Sequence, residues 1–270
     1  NPLTGNNPKT TINLYDPENQ SAQQTQPQQN PNDYLNMNNP NPSFNTAVAS
    51  NFIRSVYTYM FIALAISGVV AYAIGSDADT FKSLFINDTG SVSILFWVLL
   101  FLPLILSMII QWAFQRLSLE LLLLLFVLYS AAMGSTLSSI FVMYDMRSIA
   151  FTFFVASGAF AGMAILGYTT KTDLTKFGSL LYMVLIGMII GGIVNAFIVS
   201  GAFDFFLTII GVFVFTGLIA YQMQQLKNLA FSPEMNEGTR NKLALIGGLQ
   251  LYILFVNLFL TLLRLLGGRD

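Results

Sequence analysis

Seven apolar runs of about twenty residues, parted by short polar connections, leave this chain one class of fold. They fall close to residues 56–75, 91–112, 119–141, 148–168, 178–199, 205–223 and 243–266. At about 1.5 Å per residue, each run crosses a hydrocarbon layer about 30 Å thick. A membrane β-barrel would instead show alternating segments of about ten residues. Buried helices of a soluble domain would carry polar faces, which these runs lack. The composition agrees, with 54% hydrophobic and 9% charged residues, the charges lying mainly in the connections. The predicted fold is an all-α integral membrane protein of seven transmembrane helices.

The basic residues set an expected orientation. With the N-terminus in the cytoplasm, the inner segments hold Lys9, Arg54, Arg116, Lys171, Lys176, Lys227, Arg240 and Lys242, eight of the twelve Lys and Arg. The outer segments hold Lys82, Arg147, Arg264 and Arg269, of which the last two argue against an external C-terminus. Asp77, Asp79, Asp88, Asp145 and Asp204 give the outer side an acidic rim. That rim is explained by retention of basic residues inside; attraction of cations is the alternative.

Residues 1–50 are of another kind, rich in Asn, Gln and Pro and without apolar periodicity. Such a segment cannot bury enough surface to offset its ordering entropy, so a disordered cytoplasmic tail is expected, followed by a membrane domain over 51–270. No short apolar core follows a basic start, so no signal peptide is expected and the first run stays as an anchor.

Within the runs, small residues recur at packing intervals. Ser130, Gly134 and Ser138, with Ala131, Ser135 and Ser139, give the third run a smooth face. Gly158 and Gly162 in the fourth, and Gly187 and Gly191 in the fifth, have GxxxG spacing, which argues first for packing within one chain. Pro103 removes a backbone donor from the second run and predicts a kink. Asp173 or Thr172 is placed to cap the fifth helix. Ser232, Pro233 and Glu234 predict a short surface helix before the seventh.

Several chemistries are excluded. Without histidine there is no HExxH metal site, no Ser–His pair and no histidine switch, and without cysteine there is no thiolate chemistry. No lysine lies within a run, as a retinal Schiff base would need, and every Asp falls at a loop or a helix end. Glu120 suits the first turn of the third helix, where it complements the helix dipole. No Gly-rich phosphate cradle or metal-ligand cluster is seen. The chain therefore does not read as an enzyme, no cofactor is expected, and nucleic acid is not an expected partner.

The informative residues are polar ones in the last runs. Gln250, Leu254, Asn257, Thr261 and Arg264 follow one another at spacings of four and three, on one face of the seventh helix. That face cannot rest against acyl chains, so the seventh helix should be enclosed by the other six. Gln222, with Gln225 beyond it, lies toward the inner end of the sixth run, and Asn195 is expected deep in the fifth. Two readings follow. The amides fix helix packing through interhelical hydrogen bonds, or they line a polar path.

GYTTKTDL from Gly167 to Leu174, then Asn195, then GLIAYQMQQLK from Gly217 to Lys227, then LYILFVNLFLTLLRLLG from Leu251 to Gly267 occur in this order. The series resembles the Bax inhibitor-1 family of membrane proteins, including its bacterial YccA-type members, from about Arg54 onward. The resemblance implies seven helices with the seventh surrounded, and a calcium leak gated by pH in some members. There an aspartate on the sixth helix and one on the seventh share a proton, and such a pair titrates in separated steps.

This sequence departs from that pattern at both positions. The sixth-helix aspartate position, after the tyrosine of GLIAY, holds Gln222, and the seventh-helix position holds Leu254. Glutamine does not titrate and leucine does not bind a cation, so the implied proton gate is absent while Asn257 and the end of the block match. Two functions remain: a conduit for cations, calcium being the candidate ion, or a non-conducting modulator of a membrane partner. Some YccA-type relatives restrain an ATP-dependent membrane protease, and a polar tail would suit that role. Besides the lipid bilayer, a membrane protease or another membrane protein is therefore the expected partner. A bacterial inner membrane, with a cytoplasmic N-terminus, is the expected location.

Overall fold

Short polar side chains set where the helices begin. Ser93, Ser118, Asp145, Ser200 and Asn236 each accept a hydrogen bond from a backbone N–H of the following first turn. The computed structural model describes residues 42–87, 90–232 and 236–267. Most of the expected tail, the expected surface helix at Pro233–Glu234, Asp88 and Arg269 lie outside the described residues.

The helices are α1 (Pro42–Gly75), α2 (Ala78–Phe85), α3 (Ile94–Ala113), α4 (Leu119–Leu137), α5 (Ser139–Met143), α6 (Met146–Thr169), α7 (Thr175–Ile198), α8 (Gly201–Ala230) and α9 (Glu237–Leu266). Among the described residues, seven crossings are long and apolar enough to span a membrane, with α4 and α5 together forming the third. The short α2 lies between the first two crossings. At 30 residues each, α8 and α9 are about 45 Å long and outreach the hydrocarbon layer. Their surplus lies in the QQLKNLA end of α8 and the EGTRNK start of α9, beyond the apolar runs.

Helix α1 begins at Pro42, ahead of the expected domain boundary at 51. The reason is a stripe of buried residues at intervals of three and four: Ala49, Phe52, Val56, Met60, Ala63, Ser67 and Ala71. Its first members precede the apolar run, where average hydropathy hides them.

Helix α3 passes through Pro103, which has no N–H for the carbonyl of Leu99 four residues back. The Thr136 hydroxyl of α4 donates to that carbonyl at 3.1 Å. The proline thus gives the second crossing a hydrogen bond to the third, at a place where lipid offers no donor. The third crossing breaks at Ser138, where α4 gives way to α5. Ser135, Ser138 and Ser139 donate to carbonyls three or four residues back, and Thr136 shares its one hydroxyl hydrogen between the Leu99 carbonyl and that of Ala132, the kind of back-bonding that bends helices.

The glycines divide unexpectedly. A Cβ on Gly134 would lie 2.6 Å from the Ser67 carbonyl oxygen of α1, so the small face of the third crossing is used for close approach. Gly248 of α9 meets the backbone of Val56 and Met60 in the same way. In contrast, Gly158, Gly162 and Gly187 have open space where a side chain would stand, and all three are exposed. The expectation that both GxxxG pairs serve packing within the chain is corrected for these three, because their helix faces point away from the bundle. Gly191 does meet Leu207.

Helix α9 is the centre of the packing. Its most apolar stretch is 72% buried, against at most 39% for any other crossing and 0% for α7. It packs on α8, α6 and α4, and on α1 at Gly248. Phe255 takes edge contacts from Phe153 and Phe160 of α6, and Tyr252 from Tyr129 of α4. The two remaining crossings, α3 and α7, stand across a cavity from its polar face.

Candidate functional site

Residues at intervals of three and four on a helix share a face, and on α9 that face lines a cavity. Gln250, Leu254, Asn257, Thr261 and Arg264 all border one space of about 560 Å³. Leu104 of α3, Leu185 and Met188 of α7, and Leu207 and Phe215 of α8 supply apolar walls. Asp204 at the start of α8 and the exposed Arg264 also border it, so its charge lies toward the end of the bundle that carries Asp77 and Asp145. Asn257 donates through Nδ2 to the Ile253 carbonyl at 2.8 Å, and Thr261 donates to the Asn257 carbonyl at 2.6 Å. One amide hydrogen of Asn257 and the hydroxyl hydrogen of Thr261 are spent on the helix's own backbone, and the lone pairs of Asn257 Oδ1 and Thr261 Oγ1 accept nothing in those two bonds.

Toward the opposite end the cavity is lined by an amide pair. Gln222 of α8 donates through Nε2 to Oε1 of Gln250 at 2.6 Å. Beyond the pair lies a second space of about 410 Å³, bordered by Gln225, Leu226 and Leu229 of α8 and by Leu243 and Ile246 of α9. Gln111, Tyr182, Gln222 and Gln250 border both spaces. The amide pair therefore lies where two cavities that follow one face of α9 adjoin.

Positions 222 and 254, which the sequence sets against each other, are not joined. Leu254 has no group to bond, and Gln250, one turn earlier on α9, reaches Gln222 instead. Leu254 is buried at 8% exposure beside the pair. Asn195, expected deep in the fifth helix, is half-buried in the last turn of α7, where its Oδ1 accepts from the Ser200 N–H at 3.1 Å. The turn needs that support because Val199 sits at φ 53°, a left-handed conformation unusual for a β-branched residue. Asn195 therefore shapes the connection between α7 and α8 and borders neither cavity.

Sequence reasoning missed Gln224, buried at 7% exposure. Its Nε2 donates to the Thr172 carbonyl and its Oε1 accepts from the Leu174 N–H, both at 2.8 Å. A signal existed: two residues apart on a helix, Gln222 and Gln224 cannot share a face, so a second amide had to be accommodated elsewhere. The expected cap of the fifth helix is corrected: Leu174 is the N-cap and makes no side-chain cap bond, while Asp173, one residue earlier, accepts from the N–H and hydroxyl of Thr175.

Charged groups gather at the ends. Lys242 of α9 donates to the Leu117 carbonyl at 2.6 Å, and Arg240 to the Ala230 carbonyl at 3.3 Å. The Lys227 ammonium stands 5.4 Å from the centre of the Tyr168 ring. Hydrogen bonds from Thr80, Ser148 and Thr175 hold the carboxyls of Asp77, Asp145 and Asp173 below the ordinary carboxylate range. Among the described residues, no cluster of three or more His, Cys, Asp or Glu is placed to hold a metal ion.

The chain is similar to known proteins. The family profile described as inhibitor of apoptosis-promoting Bax1 matches residues 49–270. The inner membrane protein YbhL of Escherichia coli is 40% identical over 219 residues, which cover 81% of this chain and 92% of that protein. A protein of Borreliella burgdorferi is 41% identical over 222 residues, or 82% of this chain and 94% of its own length. A Caulobacter vibrioides protein is 40% identical over 223 residues, or 80% and 88%.

Proposed function

Because the chain belongs to the Bax inhibitor-1 family of membrane proteins, we propose that it is a passive cation conduit, with calcium the candidate ion and no carboxylate gate. The path runs along the polar face of α9, and the observation that carries the reading is the pair of cavities meeting at Gln222 and Gln250. An ion in the first cavity has the oxygens of Asn257 and Thr261 at hand, and Asp204 stands at the outer end. The location follows the Escherichia coli relative, an inner membrane, with the N-terminus in the cytoplasm.

A neutral interhelical hydrogen bond is worth only about 0.5–1.5 kcal/mol, so such a closure opens often by thermal motion. That suits a leak. In place of a proton-sharing pair stand an amide and a leucine, and the amide–amide closure contains no group that gains or loses a proton. The ionisable side chains bordering the two cavities are Asp204, Arg264, Tyr182 and Tyr221, and none of them belongs to the closing pair.

The test is calcium entry into proteoliposomes at about pH 6 and about pH 8, with wild type beside a Gln222→Asp, Leu254→Asp double variant. Flux in the wild type should be alike at the two values, and the variant should acquire a pH dependence. Absence of wild-type flux at both values, in folded protein, refutes the conduit and leaves action through a membrane partner.

A further inference from the structure

We infer that Gln224 is the positioning residue of the closure, holding α8 to the loop between α6 and α7 so that Gln222 stays against Gln250. The inference rests on the conduit reading.

A single buried side chain satisfies two backbone groups of the loop between α6 and α7, the Thr172 carbonyl and the Leu174 N–H. Among the described residues Gln224 is the partner found for those two groups, so the loop depends on the glutamine for its seat. The surroundings leave little play. Gly167, near the end of α6, lies so close on the Ala220 backbone that any Cβ would collide with it. Gly178 of α7 lies under the Tyr221 ring in the same manner. The loop and both flanking helix ends therefore bear on residues 220–224 of α8, and Gln224 is the hydrogen-bonded fastening of that contact.

The link to the closure is geometric. Side chains two apart on a helix point about 200° away from each other, so Gln224 faces the loop while Gln222 faces α9. A helix turns as a rigid body over so short a span. At a side-chain radius of about 6 Å, a rotation of about 20° moves a tip by about 2 Å, enough to break a bond 2.6 Å long. Loss of the fastening frees that rotation.

The test is calcium flux through the full-length protein in liposomes, for wild type, Gln224→Leu and Gln224→Glu, at about pH 6 and about pH 8. Leucine can serve neither loop group, and Gln224→Leu should raise flux about tenfold at both values. That factor corresponds to about 1.4 kcal/mol in the closing equilibrium. Gln224→Glu separates positioning from plain structural support. Its ionised carboxylate accepts from the Leu174 N–H but opposes the Thr172 carbonyl; its protonated form restores the donor. An ordinary glutamate is ionised at both values, so flux through this variant should be raised at both and should fall toward wild type in a further measurement at about pH 4. Lys171, Asp173 and Lys176 on the loop side and Lys227 on α8 are the charged residues nearest in the chain, with Tyr57, Tyr168, Tyr182 and Tyr221 as further titratable groups; wild type carries all eight, so the pH response is judged against it. Wild-type flux that neither substitution alters, in folded and monodisperse protein, overturns the role of Gln224 alone. A change in Gln224→Glu that persists undiminished at about pH 4 also overturns it. Flux absent from all three proteins sinks the conduit reading, and this inference with it.

Discussion

A methyl group added at Gly134 should destabilise the bundle, whereas one added at Gly158 should not. A Cβ at Gly134 would stand 2.6 Å from the Ser67 carbonyl oxygen, 2.9 Å from the Ser67 Cα and 2.9 Å from the Val70 Cβ. Favourable contacts lie at about 3.5–4.0 Å, so α1 and α4 would have to part by about 1 Å. A gap of that size forfeits a quarter to a half of each contact along the seam, and overpacking of this kind costs about 1–3 kcal/mol. Two of the three obstacles are backbone atoms, which cannot swing aside, so the cost lies toward the upper end. The helical preference of alanine over glycine returns about 0.5–1 kcal/mol. The net loss is about 1–2 kcal/mol, which lowers the melting temperature of a chain this size by about 2–8 °C. At Gly158 nothing stands within 4 Å, so only the helical gain remains and the melting temperature should hold or rise. Thermal unfolding of Gly134→Ala and Gly158→Ala in one detergent, followed by tryptophan fluorescence, makes the comparison. The reasoning fails if Gly134→Ala melts at or above wild type, or if both variants fall by the same amount.

Lys242→Met should loosen the connection between α3 and α4, because the ammonium that holds the Leu117 carbonyl at 2.6 Å is lost. A charge-assisted bond of this kind is worth about 1.5–3 kcal/mol, and faster hydrogen exchange in a peptide spanning residues 114–118 is the measure. The cap carboxyls predict an acid limb. Hydrogen bonding depresses the folded pKa of Asp145, so its contribution is present above the ordinary carboxylate value of about 4 and fades as pH falls through the lower folded value. Asp145→Asn should flatten that limb in a plot of melting temperature against pH while leaving the neutral region level; an unchanged limb would remove Asp145 from it.

The residues that specify the bundle act at two ranges. Twenty-residue apolar runs are obliged to become helices in lipid, since backbone groups there find no partner but each other, and that obligation is local. The polar face of α9 was legible for the same reason: residues at helical spacing share a side whatever surrounds them. So was the departure from a titrating pair, because glutamine and leucine at 222 and 254 carry no acid in any fold. The partner of Gln222 was not legible. Whether an amide on α8 meets residue 250 or residue 254 depends on how far two helices slide along each other, a matter of about one turn that no local pattern fixes. The same limit hid the orientation of the glycines. GxxxG spacing states that a face is smooth, and only the packed bundle states whether that face meets a helix, as at Gly134, or looks outward, as at Gly158. The division of the polar face into two cavities belongs to the tertiary structure as well, because their walls come from α3, α7 and α8, brought together only when the crossings assemble.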